Sequence, residues 1–543
     1  MNRYFSQFFL VIGFLFLLLA CKSQQVIPEK KEDKTEVPSV ENPPKVPVEP
    51  IEKKSFVVLD DKLPEPVREF RGVWIATVVN IDWPESGSDS WEKQKADFLK
   101  LLDYYQGLNF NAAIVQIRAA GDAFYPSNFA PWSKYLTGQE GKAPQTLENP
   151  LSWMIRETHL RGMEFHAWLN PYRATFDTKT ELLSPDHDFF IHPDWMLKYG
   201  TKYYYNPGLP DVKEHLKKII HEVVSNYDID AIHFDDYFYP YKVPNQEFPD
   251  QSTYQKFKKP GQSIEDWRRE NVNTLVKEVY ETLKTTKPWV QFGISPFGVW
   301  RNKDKDPNGS ATQAGQTNFD DLYADPLAWM KNGWIDYLIP QIYWSMDYSL
   351  ASYRVLTDWW DQRSFGTAIY IGNGPYKIRD NADIAWNNPQ ELIRQVVYTR
   401  TLPTLGGNSY FSAKSLFSKN RDVADMLRTE LYEKPVLPPA FEPKEQVEIV
   451  KPKVQELQFK DGQSHLELES PLDPAIRYLV FQESNDLEKL KDVPIQKLWV
   501  GGSRAKSLQI SSTNSRYLAI QWLDHFGRLV ESQIIQNLNS SQP

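Results

Sequence analysis

The chain has 543 residues, 41% hydrophobic and 24% charged, which is material for more than one domain and the balance of an ordinary soluble globular fold. A formal charge of −9 excludes the basic surface that a nucleic-acid partner requires, and a single cysteine excludes any disulfide within the chain. Aromatic residues reach 14%, with 18 Trp and 28 Tyr, enough to fill a large core and also to line a carbohydrate cleft, where the C–H face of a sugar packs on a flat ring.

Arg3 precedes an apolar run from Phe8 to Ala20 that is short for a bilayer span and reads as a secretory signal. It ends in "LLAC", which looks like a bacterial lipobox. That likeness implies a signal peptide over residues 1–20, cleavage before Cys21 and acylation of the Cys21 thiol, so a membrane partner through a lipid anchor is expected. The sole cysteine of the chain falling at this spot favours lipidation over an ordinary signal peptide. Residues 21–54 are dominated by Pro, Glu, Lys and Val without an apolar period, as in a disordered, extended tether. A second Pro-rich stretch marks a linker over 434–453. It separates a body over 55–433 from a module over 454–543.

Eight apolar runs punctuate the body: "RGVWIATVV", "AAIVQIRAA", "MEFHAWLNP", "DAIHFDDYF", "VQFGISPFG", "DYLIPQIYW", "GTAIYIGNG" and "GGNSYFSAK". Amphipathic stretches such as "WEKQKADFLKLLDYYQ" and "DVKEHLKKIIHEVVSNY" fit between them as helices. This alternation predicts a parallel sheet with right-handed crossovers, and eight units predict a (β/α)8 TIM-type barrel. A doubly wound sheet would usually carry a Gly-rich phosphate loop after its first strand, and "ATVVNIDWPESGSDS" is not one.

In such a barrel the carboxyl ends of the strands converge on one mouth, where an active site belongs. Read in order, those ends offer Asn80 and Asp82; Gln116, Arg118 and Asp122; His166, Trp168, Asn170 and Arg173; His233, Asp235, Asp236 and Tyr237; Ser295; Gln341, Tyr343 and Trp344; Tyr370 and Asn373; and Ser409. Amides, hydroxyls, arginines and aromatics together suit a polyhydroxylated ligand. Each also has a structural reading: Asp82 as a cap, Arg118 as a partner of Asp122 or Asp235, and His166 and His233 as hydrogen-bonded filling. The stretch "DIDAIHFDDYFYP" raises the sharpest question, because the adjacent carboxyls of Asp235 and Asp236 repel and burial opposes their ionisation. Such a pair calls for a metal, a basic partner, or chemistry that uses a protonated carboxyl. No HExxH, CxxC, Walker or GxSxG pattern occurs, and the HxH that usually opens a barrel metal site is missing, so no metal and no cofactor are expected.

Six segments in order, "REFRGVWIATVVNIDWP", "QIRAAGDAFYPSNFAPWSKYLTGQEGKAP", "HAWLNPYR", "IHFDDYFYP", "GISPFGVWR" and "WIDYLIPQIYW", resemble the bacterial glycosyl-hydrolase-like family ten lipoproteins, from about Pro64 to about Ser418. Ala231 departs from the glycine expected of that pattern. The resemblance implies a TIM-type barrel acting on glycans of the bacterial envelope, with peptidoglycan the leading candidate. It places the protein in the cell envelope, at the outer membrane, and a monomer is expected.

The last module reads as seven short strands: "VQELQFKDG", "SHLELESP", "IRYLVFQES", "KLWVGGS", "KSLQISS", "RYLAIQWLD" and "GRLVESQII". They predict a β-sandwich like a fibronectin type III domain. Trp499 or Trp522 offers a binding aromatic if exposed, but a spacer with both in its core is the simpler reading.

Two functions follow. The first is a glycoside hydrolase with Asp235 and Asp236 catalytic, in which Asp235, sharing a strand face with His233, points into the mouth and Asp236 lies on the lip or turns outward. Asp236 is then the second catalytic group or a partner of Arg118 or Arg173. Asp122 and Asp82, or loop residues Glu247, Asp304 and Asp306, stand as further candidates for a second carboxyl. The alternative is a catalytically silent glycan-binding lipoprotein using the same cleft. In both, Asn80, Gln116, Arg118, Trp168, Asn170, Arg173, His233, Tyr237, Gln341, Tyr343, Trp344 and Asn373 are expected to hold the glycan.

Overall fold

The computed structural model describes residues 55–443 and 448–540. The signal peptide, Cys21 and the tether lie outside the described residues. Among those described, no helix is long and apolar enough to cross a membrane.

Eight parallel strands close into a barrel, one at each of the eight apolar runs: β1 (Phe70–Ile75), β2 (Ala112–Arg118), β3 (Glu164–Leu169), β4 (Ala231–Phe234), β5 (Gln291–Ile294), β6 (Tyr337–Leu338), β7 (Ala368–Asn373) and β8 (Leu405–Tyr410). Neighbours follow chain order, and β8 closes on β1 with Gly407 opposite Phe70 and Tyr410 opposite Val73. Helices cover one face of the strands and side chains fill the other, which is why most of the strands read as apolar runs without alternation. Ser90 opens α1 (Trp91–Gly107) by accepting the Lys93 N–H, Asn149 opens α2 (Pro150–Leu160) ahead of a proline, and α3 (Pro210–Asn226) starts directly on a proline. Phe98, Leu101, Leu102 and Tyr105 of α1, with Val212, Leu216, Ile219 and Val223 of α3, form the stripes packed against the outside of the barrel.

Inside, Phe70 stacks on Tyr370 at 4.1 Å, and Ile114, Trp168 and Tyr337 join them. The Tyr337 ring lies across Gly293, where a Cβ would stand 1.8 Å from its Cζ. Its hydroxyl meets His166 Nδ1 at 2.8 Å and His233 Nδ1 at 3.0 Å. This buried layer supports the mouth above it.

The seven expected strands of the last module are present, in a sandwich of two sheets. One sheet orders Val454–Lys460, Gln463–Leu468 and Ser507–Ser511. The other orders Gln496–Trp499, Ile476–Ser484, Tyr517–Asp524, Leu529–Asn537 and then Phe56–Leu59. That last strand is an addition. The sequence reading puts residues 56–59 at the start of the barrel body, but they pair antiparallel with the end of the chain, Phe56 opposite Asn537. Trp522 is fully buried in the sandwich core, and the Trp499 ring packs 5.1 Å from His159 of the barrel, so neither is a free binding aromatic.

The sandwich is fastened to the amino-terminal end of the barrel. Arg477, buried, donates to Asp228 at 2.6 Å and to Asp230 at 2.8 Å, just ahead of β4, and its Nη2 lies 3.1 Å from His159 Nε2. Lys497 donates to the Gly162 carbonyl ahead of β3 at 2.9 Å. Burial pushes the Asp230 carboxyl up, but Arg477 and His159 outweigh it and hold the group well below the usual carboxylate range.

Candidate active site

Strand β4 ends at Phe234, and the backbone turns immediately. The Asp236 N–H donates to Asp235 Oδ1 at 2.8 Å, and the Phe238 N–H donates to the Asp236 carbonyl at 2.9 Å. The turn ends strand alternation, so Asp235 and Asp236 line the same cavity, about 280 Å³ at the carboxyl end of the strands. The expectation that Asp236 lies on the lip or turns outward is therefore corrected. So is its pairing with Arg118 or Arg173: among the described residues no arginine lies within ion-pair distance of Asp236, and its Oδ2 accepts from the Tyr241 hydroxyl instead.

The two carboxyls have different surroundings. Asp235 Oδ1 accepts both the Asp236 N–H and Gln341 Nε2, the latter at 3.1 Å. Burial raises the Asp235 carboxyl, and these donors with the Arg173 charge partly oppose the rise. Asp236 is 2% exposed; burial and the neighbouring Asp235 charge push it well above the usual range, and Tyr241 opposes this only in part. The pair titrates as a unit. Asp235, with the better donors, is the first of the two to ionise, and Asp236 keeps its proton longer.

Trp74, Trp168, Tyr237, Tyr241, Tyr343 and Phe411 supply the aromatic walls, and Gln116, Asn170, Arg173, Ser295 and Gln341 the polar ones. Gln116 spends its side-chain oxygen on the Thr77 and Val78 N–H groups, at 3.1 and 2.9 Å, while its buried Nε2 has no protein partner. The Arg173 Nε is likewise buried without one. Both residues line the cavity and keep a donor that no protein group satisfies.

Other expected residues support the mouth without lining the cavity. Asn80 donates to the Pro84 and Tyr135 carbonyls at 2.9 and 2.8 Å. Arg118 is buried and donates to the Asn170 carbonyl at 3.0 Å, not to Asp122 or Asp235. His233 Nε2 lies 3.0 Å from Ser295 Oγ while its Nδ1 faces Tyr337, and His166 spends Nε2 on Glu164 at 3.1 Å, so no nitrogen of either ring is left for a metal. Burial keeps His233 neutral, its pKa well below the ordinary value. Asn373 is buried between Tyr353 and Asn408, and Trp344 packs edge-on against Phe297.

The further carboxyl candidates are also elsewhere. Asp82, pushed up to about 6 by burial, accepts from the Ala76 and Lys414 N–H groups and the Ser412 hydroxyl, tying the loop after β1 to the loop after β8. Asp122 accepts the Ala120 N–H at 3.0 Å. Asp306 pairs with Arg301 at 3.1 Å, and Glu247 and Asp304 are exposed. Among the described residues, only Asp235 and Asp236 bring carboxyls to this cavity. Tyr241, Trp74 and Phe411 were missed by sequence reasoning. Tyr241 belongs to the aromatic run that follows the acidic pair, the one signal that points to it.

A second cavity of about 540 Å³ continues from the first, sharing Val78, Ile81, Arg173, Tyr237 and Tyr241 with it. Its far wall is the hairpin Met196–Tyr199 and Lys202–Tyr205. Together the two form one continuous groove.

Fold and site thus define a (β/α)8-barrel protein of the glycosidase-like class. Residues 69–388, more than half of the chain, match the model of the Glycosyl hydrolase-like 10 family, and the chain belongs to that family. The glycosyl hydrolase YngK of Bacillus subtilis (strain 168) is 51% identical over 376 residues, covering 68% of this chain and 73% of its own length. The glycosyl hydrolase DigH of Escherichia coli (strain K12) is 38% identical over 364 residues, covering 63% of this chain and 82% of its own. Among solved structures, the PgaB (BpsB) glycoside hydrolase domain from Bordetella bronchiseptica is 13% identical with a TM-score of 0.45, covering 67% of this chain and 98% of that domain.

Proposed function

We propose that the protein is a glycoside hydrolase acting on an N-acetylated glycan of the bacterial envelope, peptidoglycan-type polysaccharide first. The observation that carries this reading is the acidic pair itself. Asp235 and Asp236 are adjacent, buried and unequal in proton affinity, and among the described residues no third carboxyl lines their cavity.

A glycosidase normally divides its chemistry between two separated carboxyls. With both in one dipeptide, the nucleophile is best supplied by the substrate. Asp236 gives its proton to the glycosidic oxygen as the C1–O bond breaks, and the oxygen of the 2-acetamido group forms the new bond to C1. The Asp235 carboxylate orients the amide N–H and balances the positive charge that grows on the ring so formed. Asp236, now ionised, takes a proton from the water that opens that ring. Gln341 holds Asp235 in place, and Trp168, Tyr343 and Phe411 offer faces for the sugar.

The same reading makes the chain a monomeric lipoprotein held through Cys21 at the outer membrane, with a fibronectin type III-like module as a rigid base for the barrel.

The test uses Asp235→Asn and Asp236→Asn on an N-acetylated glycan, with folding checked by thermal melting. Each should lower turnover by about 10²–10⁴-fold, and a thiazoline-type inhibitor should block the unmodified protein. Unchanged turnover in both variants would remove the pair from the chemistry. Lost turnover without thiazoline inhibition would remove only the substrate-assisted route. Binding without any turnover of the unmodified protein would leave the silent glycan-binding function.

A further inference from the structure

The groove beyond the acidic pair has an unusual charge. Arg173, Lys202 and Lys242 line it, and among the described residues no carboxylate does. Lys242 is neutralised by Asp321 at the rim. The other two are not. Arg173 is 6% exposed, its Nε is buried without a hydrogen-bond partner, and among the described residues no carboxylate lies within 4.0 Å of its guanidinium. Its central carbon lies 4.1 Å from the centre of the Tyr237 ring, and the residue lines the groove. Lys202, on the facing hairpin, is half-buried and likewise forms no ion pair. Burial and the neighbouring Arg173 charge both disfavour its ammonium form; Asp177 offsets this only in part and lies 4.0 Å from Lys134.

A buried guanidinium costs several kcal/mol to desolvate and is ordinarily paired. Two cations set toward one groove without an ion-pair partner raise that cost further, and a bound anion would remove it. The Asp235–Asp236 pair acts on Arg173 only through space, beyond ion-pair distance.

We propose that this groove is a subsite for a carboxylate carried by the glycan, on the sugar next to the one held over Asp235 and Asp236. The Arg173 edge takes the two carboxylate oxygens, and Lys202 closes on them from the hairpin. The inference rests on the glycan reading of the cleft but not on hydrolysis. Either a uronic acid, with its carboxylate at C6, or a sugar bearing an ether-linked lactate offers this chemistry.

The experiment measures calorimetric affinity for N-acetylated oligosaccharides of both kinds, each compared with a matched form whose carboxyl has been reduced to the alcohol. The unmodified protein should bind the acid of one series at least about tenfold more tightly than its alcohol, and that series identifies the source of the carboxylate. In Arg173→Gln, and separately in Lys202→Gln on the hairpin, that ratio should fall to within about twofold, and raising salt should weaken the acid but not the alcohol. Equal affinity for acid and alcohol in both series, or a ratio that survives both substitutions, overturns the subsite. Retained acid preference with no turnover would count against the hydrolase reading alone.

Discussion

Asp236 sits in a buried, acidic surrounding and Asp235 in a hydrogen-bonded one, and the pH dependence of activity follows from that difference. The proton donor must be protonated, so activity is lost as pH rises through the Asp236 value, which lies well above the usual 3.8. The orienting carboxylate must be ionised, so activity is lost again as pH falls through the Asp235 value, also raised. The profile should be a bell whose acid limb lies above the ordinary Asp range. Tyr241 gives a way to move one limb. Its hydroxyl bonds the ionised form of Asp236 and so lowers that group's pKa. Tyr241→Phe should shift the basic limb to higher pH and leave the acid limb nearly in place. Steady-state rates across pH decide it, and an unmoved basic limb would mean that another group is the proton donor.

At the scale of elements, the mouth depends on a layer that never meets substrate. Tyr337 can lie across β5 only because position 293 has no side chain, and from there its hydroxyl holds His166 and His233. A Cβ at 293 would stand 1.8 Å from the ring, and neither the strand nor the packed tyrosine has room to yield. Gly293→Ala should therefore cost about 1–3 kcal/mol or more, read as a lower denaturant midpoint at unchanged slope. His233 supports Ser295, which lines the cavity, so activity should fall in the same variant. An unchanged midpoint would show that the ring is free to move.

Across the whole molecule, barrel and sandwich meet through Arg477 and the carboxyls of Asp228 and Asp230. Arg477→Met would leave Asp230 buried with only His159 beside it, and loss of one partner of a buried pair costs about 3–5 kcal/mol. The sign with pH is fixed by the direction of the shift. The Asp230 pKa is depressed in the folded protein, so its contribution is fully present above the unfolded value near 3.9 and is lost as pH falls below it. Thermal melts should show a large deficit for the variant at pH 7 that narrows below about pH 4. A deficit independent of pH would place the loss in packing and not in charge. The anchor is tested at this scale too: Cys21→Ala should move the folded protein from the membrane to the soluble fraction, and retention in the membrane after processing would refute lipidation.

The barrel was legible because its signals are local: apolar runs of strand length, helical stripes between them and caps such as Ser90 and Asn149 each depend on near neighbours in the chain. The pairing of Asp235 with Asp236 was legible for the same reason. What those carboxyls face was not, because Tyr241 and Gln341 reach them through loops, and the turn after Phe234 overrides the alternation that a strand would impose. Asp82, a plausible acid by position, is spent on Ser412, 330 residues away, and Arg477 finds Asp228 across 249. The strand at 56–59 has no local sign of its place, because its partner, Leu529–Asn537, lies at the far end of the chain. The sequence by itself therefore determined the elements, their order and the acidic dipeptide. The tertiary structure alone decided which polar groups meet in the cavity, because the partner of a buried charge is set by packing between segments that no local pattern connects.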